Sequence, residues 1–297
     1  MTATVPPPSS ETNPAVAGLV SLALDASREI LSVYCKDFSA AGKADGSPVT
    51  EADARAERVI LAGLKSRFPH ISVVAEEACE AGDLPECGQR FFLVDPLDGT
   101  KEFISRNGEF TVNIALIVEG VPVFGVVAAP ALNAVYWGGV LPSDLGGSGA
   151  SGAWKALITD DCASDPQPIS VRKAPASGLT VLASRSHCSA ETEALINQLD
   201  VFERVSVGSS LKLCWLAEGR ADFYPRLAPT MQWDIAAGDA VLRAAGGETL
   251  LAKDLTPFAY HVPQHPEKDD LRNANFLALG DRTMKSRLTP VDGAAAE

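Results

Sequence analysis

Two carboxylates, Asp95 and Asp98, stand in the stretch Asp95-Pro96-Leu97-Asp98-Gly99-Thr100, directly after the apolar run Phe91-Phe92-Leu93-Val94. The run reads as a buried strand, so chemistry is expected where that strand ends. Pro96 cannot donate to a ladder and fixes its own φ, which predicts a turn between the two acids. Gly99 then permits a left-handed backbone before a short helical turn. Both carboxylates would converge on one point, and the amides of Gly99, Thr100 and Lys101, unpaired at the start of that turn, would hold a phosphate oxygen. Hard oxygens beside an amide nest suit a divalent cation such as Mg²⁺ bridging to a phosphoryl group. The ordinary alternative is a reverse turn, since Asp, Pro and Gly are common turn residues. A turn by itself does not require the buried strand before it.

Other acids sit where elements begin. Asp53 follows Thr50 by three positions at the start of a predicted helix, in outline a capping box with a shortened acid. Glu76 and Glu77 leave a β-branched run at 71–74; adjacent acids leaving a strand point to opposite faces, so one would aim at a metal and the other at solvent or a polar partner. Asp234, in Gln232-Trp233-Asp234, opens a helix, where an N-cap is the ordinary role. A second anion site is read at Gly208-Ser209-Ser210-Leu211-Lys212, because a glycine turn entering a helix exposes amides and puts Ser209 and Lys212 on one side. Arg226 leaves the strand after it and Arg185-Ser186-His187 the strand before it.

The elements that must position these groups are legible as periodicity. Residues 14–35 carry apolar positions at helical spacing, and a helix after Asp53 presents Val59, Ile60, Leu61 and Leu64. After the central motif come strands at 110–118, 121–128 and 134–137, joined by close antiparallel connections. The stretch 138–168, rich in Gly, Ser, Asp and Pro, reads as a loop-bearing hairpin with a surface insertion, and the domain change falls near its end. Beyond it strand and helix alternate: strands at 179–183, 201–207, 221–224 and 274–279, helices at 190–199, 209–218 and 235–245. The expected division is 14–168, carrying most metal-binding acids, and 169–282, carrying phosphate contacts. Tails at 1–13 and 283–297 lack an apolar period and are expected to be disordered.

Composition excludes several classes. The 297 residues are 46% hydrophobic, enough for a substantial core, and no apolar run reaches the ~18 residues of a membrane span. A formal charge of −13 opposes binding to long nucleic acid, so a small anion would need local cations or metals. The N-terminus has no basic start followed by an apolar core, and the six cysteines have no metal or redox spacing, so a reduced cytoplasmic protein is expected. Oligomeric state is not written in the sequence.

The motif Asp-Pro-x-Asp-Gly-Thr at 95–100, with Trp233-Asp234, resembles the signatures of the lithium-sensitive, Mg²⁺-dependent phosphomonoesterases of the inositol monophosphatase superfamily. Matches run from about residue 16 to 279. Ser47-Pro48-Val49-Thr50, Lys101-Glu102-Phe103, the stretch 106–113, the stretch 208–212 and Tyr224-Pro225-Arg226 narrow the resemblance to 3′(2′),5′-bisphosphate nucleotidases of the CysQ type. Inositol phosphatases typically read Asp-Gly-Thr-x-Asn-Phe, and Glu102 stands before the Phe here.

That resemblance implies an α/β protein of the α+β sugar-phosphatase type, a layered α/β/α/β/α sandwich with a mostly antiparallel N-terminal sheet and a C-terminal α/β half. It implies Mg²⁺-dependent conversion of adenosine 3′,5′-bisphosphate to AMP and phosphate, and a place in sulfur metabolism. Two or three Mg²⁺ ions would be held by Glu76, Asp95, the carbonyl of Leu97, Asp98 and Asp234, with Asp95 bridging. Asp53 and Thr100 would orient the attacking water. Gly99, Thr100 and Asp234 would contact the substrate at the scissile phosphate, Ser209, Lys212 and Arg226 would take the second phosphate, and the loop after Arg185 would approach the nucleoside. An inositol monophosphatase or related sugar phosphatase is the alternative reading.

Overall fold

The computed structural model describes residues 13–36, 40–42, 48–149, 151–183 and 189–291, with the backbone alone at 40–42 and 48–50. Helix α1 (Pro14–Tyr34) starts where Pro14 fits the first turn and the Asn13 side chain accepts from the amides of Ala15 and Val16 at 3.2 and 3.1 Å. Asn13 is thus a buried cap and not part of a loose tail. A small ribbon of β1 (Ala40–Gly42) and β2 (Pro48–Thr50) leads into α2 (Glu51–Arg67). Strand β3 (Ser72–Ala75) is followed at once by the short helix α3 (Glu76–Glu80). The two adjacent acids therefore occupy consecutive positions in a helical turn, and the strand alternation expected for them does not apply.

Strand β4 (Arg90–Asp98) runs through both motif acids, and the short helix α4 (Thr100–Ile104) follows. Strands β5 (Thr111–Val118), β6 (Val121–Ala129), β7 (Ala134–Gly139), β8 (Ala153–Thr159) and β9 (Cys162–Ile169) complete a sheet in the order β3-β4-β5-β6-β7-β8-β9, antiparallel except for β3 beside β4. The stretch 138–168 is thus mainly a hairpin that widens this sheet, with the loop confined to 140–152. Ala153, Trp154 and Ala156 are buried, a short alternation masked by the surrounding Gly and Pro.

The second sheet holds β10 (Leu179–Ala183), β11 (Val201–Ser206), β12 (Phe223–Arg226), β13 (Glu248–Leu251) and β14 (Phe276–Leu279) in the order β11-β10-β12-β14-β13. Pairings among β10, β11 and β12 are parallel, and those of β14 antiparallel, so this half is mixed. The reading of the sequence missed β13, whose four residues are too few to show a period. Helices α5 (Ala190–Ile196), α6 (Leu211–Ala217) and α7 (Gln232–Ala244) connect its strands.

The layers follow from which face each residue supplies. On β5, Val112, Ile114 and Leu116 pack with α1 and α2, while Ala115 and Ile117 pack with α6 and α7. Both faces are buried, which is why this strand reads as a nearly continuous apolar run. Helix α7 lies flat on the sheet because Gly125 lacks a side chain: a Cβ there would stand 2.4 Å from the Ala237 carbonyl oxygen, an overpacking that costs about 1–3 kcal/mol. The second sheet covers α6 and α7, and α5 covers its far face with Met284 and Leu288. Those two residues correct the expected C-terminal tail at 283–297: its first part, through 291, returns to the core, because apolar side chains four apart suffice to anchor a single turn. The layer order is α/β/α/β/α.

Among the described residues no helix is long and apolar enough to cross a membrane, and Cys35, Cys79, Cys87, Cys162 and Cys214 are free thiols. Residues 1–12, 292–297 and the Arg185-Ser186-His187 stretch lie outside the described residues.

Candidate active site

The central motif does not turn between its acids. Asp95 pairs with Asn113 and Asp98 with Thr111, so three steps along β4 answer two along β5, a bulge that accommodates Pro96. Leu97 donates its amide to Asp95 Oδ1 at 3.0 Å, a local bond that replaces a ladder bond across the bulge. The left-handed residue is Gly99, at φ 92°, immediately after Asp98, and α4 starts beyond it. Thr100 donates its hydroxyl to the Leu97 carbonyl at 3.5 Å. That bond turns the threonine side chain back three residues along the chain.

The remaining acids arrive from helix starts. Asp53 is wholly buried in the first turn of α2, and Glu76 opens α3. Asp234 is the third residue of α7 and accepts the Met231 amide on Oδ2 at 2.8 Å, so it closes the first turn from inside the helix instead of occupying the N-cap. Burial, then Glu76, Asp98, Asp234 and Asp53 in that order, hold the Asp95 carboxyl well above the usual carboxylate range. Burial, Asp98 and Glu76 do the same to Asp234, against the pull of the Met231 amide and Arg226. Burial pushes Asp98 up to about 6 although Lys212 and the Ser210 amide pull it down.

These acids are thus mutual electrostatic neighbours in a desolvated place. Among the described residues no three acidic, thiol or imidazole side chains close into a finished ligand cage. The donor set nevertheless fits one kind of ion: every side chain is a carboxylate, and a divalent cation would relieve the repulsion that otherwise favours protonation.

The anion turn differs from expectation in its detail. Ser209, not Gly208, has the left-handed backbone, at φ 47°, and α6 begins only at Leu211. Gly208 is required for space: a Cβ would lie 2.6 Å from the Glu109 carbonyl oxygen and 2.7 Å from Glu102 Cγ. The Gly208 amide donates to Glu109 Oε2 at 2.8 Å, and the Ser210 amide donates to Asp98 Oδ2 at 2.6 Å. The Ser210 hydroxyl donates to the Asp234 carbonyl. Lys212, buried, donates to the Ser209 carbonyl at 3.1 Å and stands 5.6 Å from the Tyr224 ring centre. Burial pushes its ammonium down to about 8, opposed by Asp98 and assisted by Arg226. Arg226, also buried, donates to the carbonyls of Ala228 and Pro229, which hold the guanidinium in place.

One polar group near these acids went unnoticed in the sequence, and two more were read only as part of the stretch 106–113. Glu57, one turn after Asp53 and only 6% exposed, accepts the Glu77 amide at 2.9 Å, and burial pushes its carboxyl up to about 7. The available signal was its place among Asp53, Ile60 and Leu64 on the buried face of α2. Thr111 and Asn113 are fully buried on β5 opposite the two motif acids. Their alternation with Val112 and Ile114 marked the face they occupy.

Comparison with known proteins finds relatives along most of the chain. The model of the inositol monophosphatase family matches residues 12–284. The chain is 47% identical over 228 residues to the 3′(2′),5′-bisphosphate nucleotidase CysQ of Escherichia coli K12, covering 76% of this chain and 85% of that one. It is 46% identical over 245 residues to the Salmonella typhimurium LT2 protein of the same name, covering 80% and 92%. The crystal structure of CysQ from Bacteroides thetaiotaomicron superposes with a TM-score of 0.72 at 37% identity, covering 91% of this chain and 97% of that one.

Proposed function

This chain belongs to the inositol monophosphatase family, and from that premise we infer that it is a 3′(2′),5′-bisphosphate nucleotidase of the CysQ type, hydrolysing adenosine 3′,5′-bisphosphate to AMP and phosphate. One observation carries the reading beyond the names of its relatives. The acid cluster and the cationic turn are joined, with Asp98 accepting the amide of Ser210 two residues before Lys212. A metal-binding end and a second-phosphate end thus share one wall.

Glu76, Asp95, the Leu97 carbonyl, Asp98 and Asp234 would hold two or three Mg²⁺ ions. Bound there, the metal supplies Lewis acidity to the phosphoryl oxygens and lowers the pKa of a water. The amides of Gly99 and Thr100 hold the scissile phosphate, beside Asp234. Asp53 and Thr100 orient the attacking water. Ser209, Lys212 and Arg226 take the 5′-phosphate as charge-assisted partners. Positioning and electrostatics are the main resources of phosphoryl transfer, and no protein nucleophile is required.

The test is phosphate release from adenosine 3′,5′-bisphosphate, adenosine 3′-monophosphate and inositol monophosphate, with Mg²⁺ and after complete chelation. Preference for the bisphosphate and loss of turnover on chelation are expected. Undiminished turnover without metal, or preference for inositol monophosphate, would overturn the reading.

A further inference from the structure

The turn carrying Ser209 is held from outside itself. A serine at φ 47° keeps a left-handed backbone only when its surroundings enforce it. Here the amides on either side are each taken by a carboxylate, Gly208 by Glu109 and Ser210 by Asp98. Asp98 has its place in the acid cluster. Glu109 has none in the reaction as derived above, yet a carboxylate close to a phosphate pocket is unfavourable unless it is engaged.

Its engagement is specific. The bond from Gly208 N to Glu109 Oε2 spans 99 positions of the chain and ties the segment between α4 and β5 to the turn before α6. Asn107 Oδ1 accepts the Glu109 amide at 2.9 Å, fixing this stretch. The Glu109 carbonyl and the Glu102 side chain form the wall against which only a glycine fits at 208. On the turn so seated, the Ser209 hydroxyl is buried with no partner among the described residues, and the Ser209 carbonyl holds the Lys212 ammonium.

We propose that Glu109 is a positioning residue for specificity: by holding the Gly208 amide, backed by Glu102, it keeps Ser209 and Lys212 at the spacing that reads a second phosphate. This rests on the nucleotidase reading given above. Glu109 governs discrimination between bisphosphate and monophosphate substrates and touches neither substrate itself.

The experiment compares wild type, Glu109→Ala, Glu109→Gln and Gly208→Ala on adenosine 3′,5′-bisphosphate and adenosine 3′-monophosphate, which differ only in the 5′-phosphate. Calorimetric binding of AMP, which keeps that phosphate, reads the pocket without chemistry. Glu109→Ala is expected to lower kcat/KM for the bisphosphate about tenfold, chiefly through KM, with a change of less than about threefold for the monophosphate. AMP binding should weaken by a similar factor. Glu109→Gln, which keeps an acceptor for the Gly208 amide, should retain most of the preference, and Gly208→Ala should lose it through displacement of the turn. Equal losses on both substrates, whether or not the thermal midpoint falls, would overturn the inference, as would unchanged AMP binding in Glu109→Ala. A wild-type enzyme that turns over both substrates alike would instead overturn the nucleotidase reading, and the ground of this inference with it.

Discussion

Ser210 donates its amide to Asp98 Oδ2 at 2.6 Å, across 112 positions of the chain. The acid at the end of β4 and the turn before α6 are therefore one unit: whatever moves Asp98 also moves the residues beside Lys212. That coupling shapes what substitutions here should do.

Asp98→Asn keeps an oxygen able to accept the Ser210 amide and removes the anionic donor. We expect folded protein with a wild-type circular dichroism spectrum and kcat lower by about 100-fold or more, roughly 2.7 kcal/mol of barrier. Activity within about threefold, under ~1 kcal/mol, would show that this carboxylate is dispensable.

Metal-free protein should lose stability from this site as pH rises. The Asp98 carboxyl titrates at about 6 in the folded chain against an ordinary 3.8. Between those values the folded state holds a proton that the unfolded state has released, so its contribution is full below about 3.8 and lost as pH passes through about 6. The carboxamide introduced by Asp98→Asn has no such titration. The thermal midpoint of chelated wild type, relative to Asp98→Asn, should fall between about pH 4 and 7, and Mg²⁺ added above that window should raise wild type more than the variant. A difference that stays flat across the window contradicts the account.

Lys212 should set an alkaline limit on bisphosphate use. Its ammonium is pushed down to about 8, so kcat/KM for adenosine 3′,5′-bisphosphate should decline above pH 8 more steeply than for adenosine 3′-monophosphate. Lys212→Ala should cost about 1.5–3 kcal/mol on the bisphosphate alone, through loss of a charge-assisted phosphate contact. Parallel pH profiles and equal penalties on the two substrates would assign Lys212 to the fold.

Lithium should inhibit more strongly than sodium at matched ionic strength. A site of carboxylates, with Asp95, Asp98 and Asp234 as electrostatic neighbours, offers only hard oxygens, which a small hard monovalent cation also accepts, with one charge fewer than Mg²⁺ to stabilise the leaving oxygen. Steady-state kinetics over a grid of Li⁺ and Mg²⁺, repeated with Asp234→Asn, provide the check. Identical responses to Li⁺ and Na⁺ would exclude a selective site.

Much of this protein was legible before its structure. The apolar run at 91–94, the left-handed Gly99 and the helical turn after it follow from backbone sterics within a few residues, and the structure shows all three. Helices α1 and α2 declared themselves by period, because each buries one face, and strands β5 and β6 by apolar, β-branched runs between turns, because both of their faces are buried. Where local reasoning failed, a neighbour distant in sequence had decided the matter. Pairing with β5 carried β4 straight through Pro96 by way of a bulge, where the proline alone argued for a turn. Glu57 was not evident because its partner, the Glu77 amide, belongs to a different helix. Gly208 was read as a conformational glycine and proved to be a spatial one, since the wall it meets is built by Glu102 and Glu109. Local sterics and periodicity are written within a few residues, whereas the bonds from Gly208 to Glu109 and from Ser210 to Asp98 exist only once sheet register and the seating of α6 and α7 have brought the two halves together.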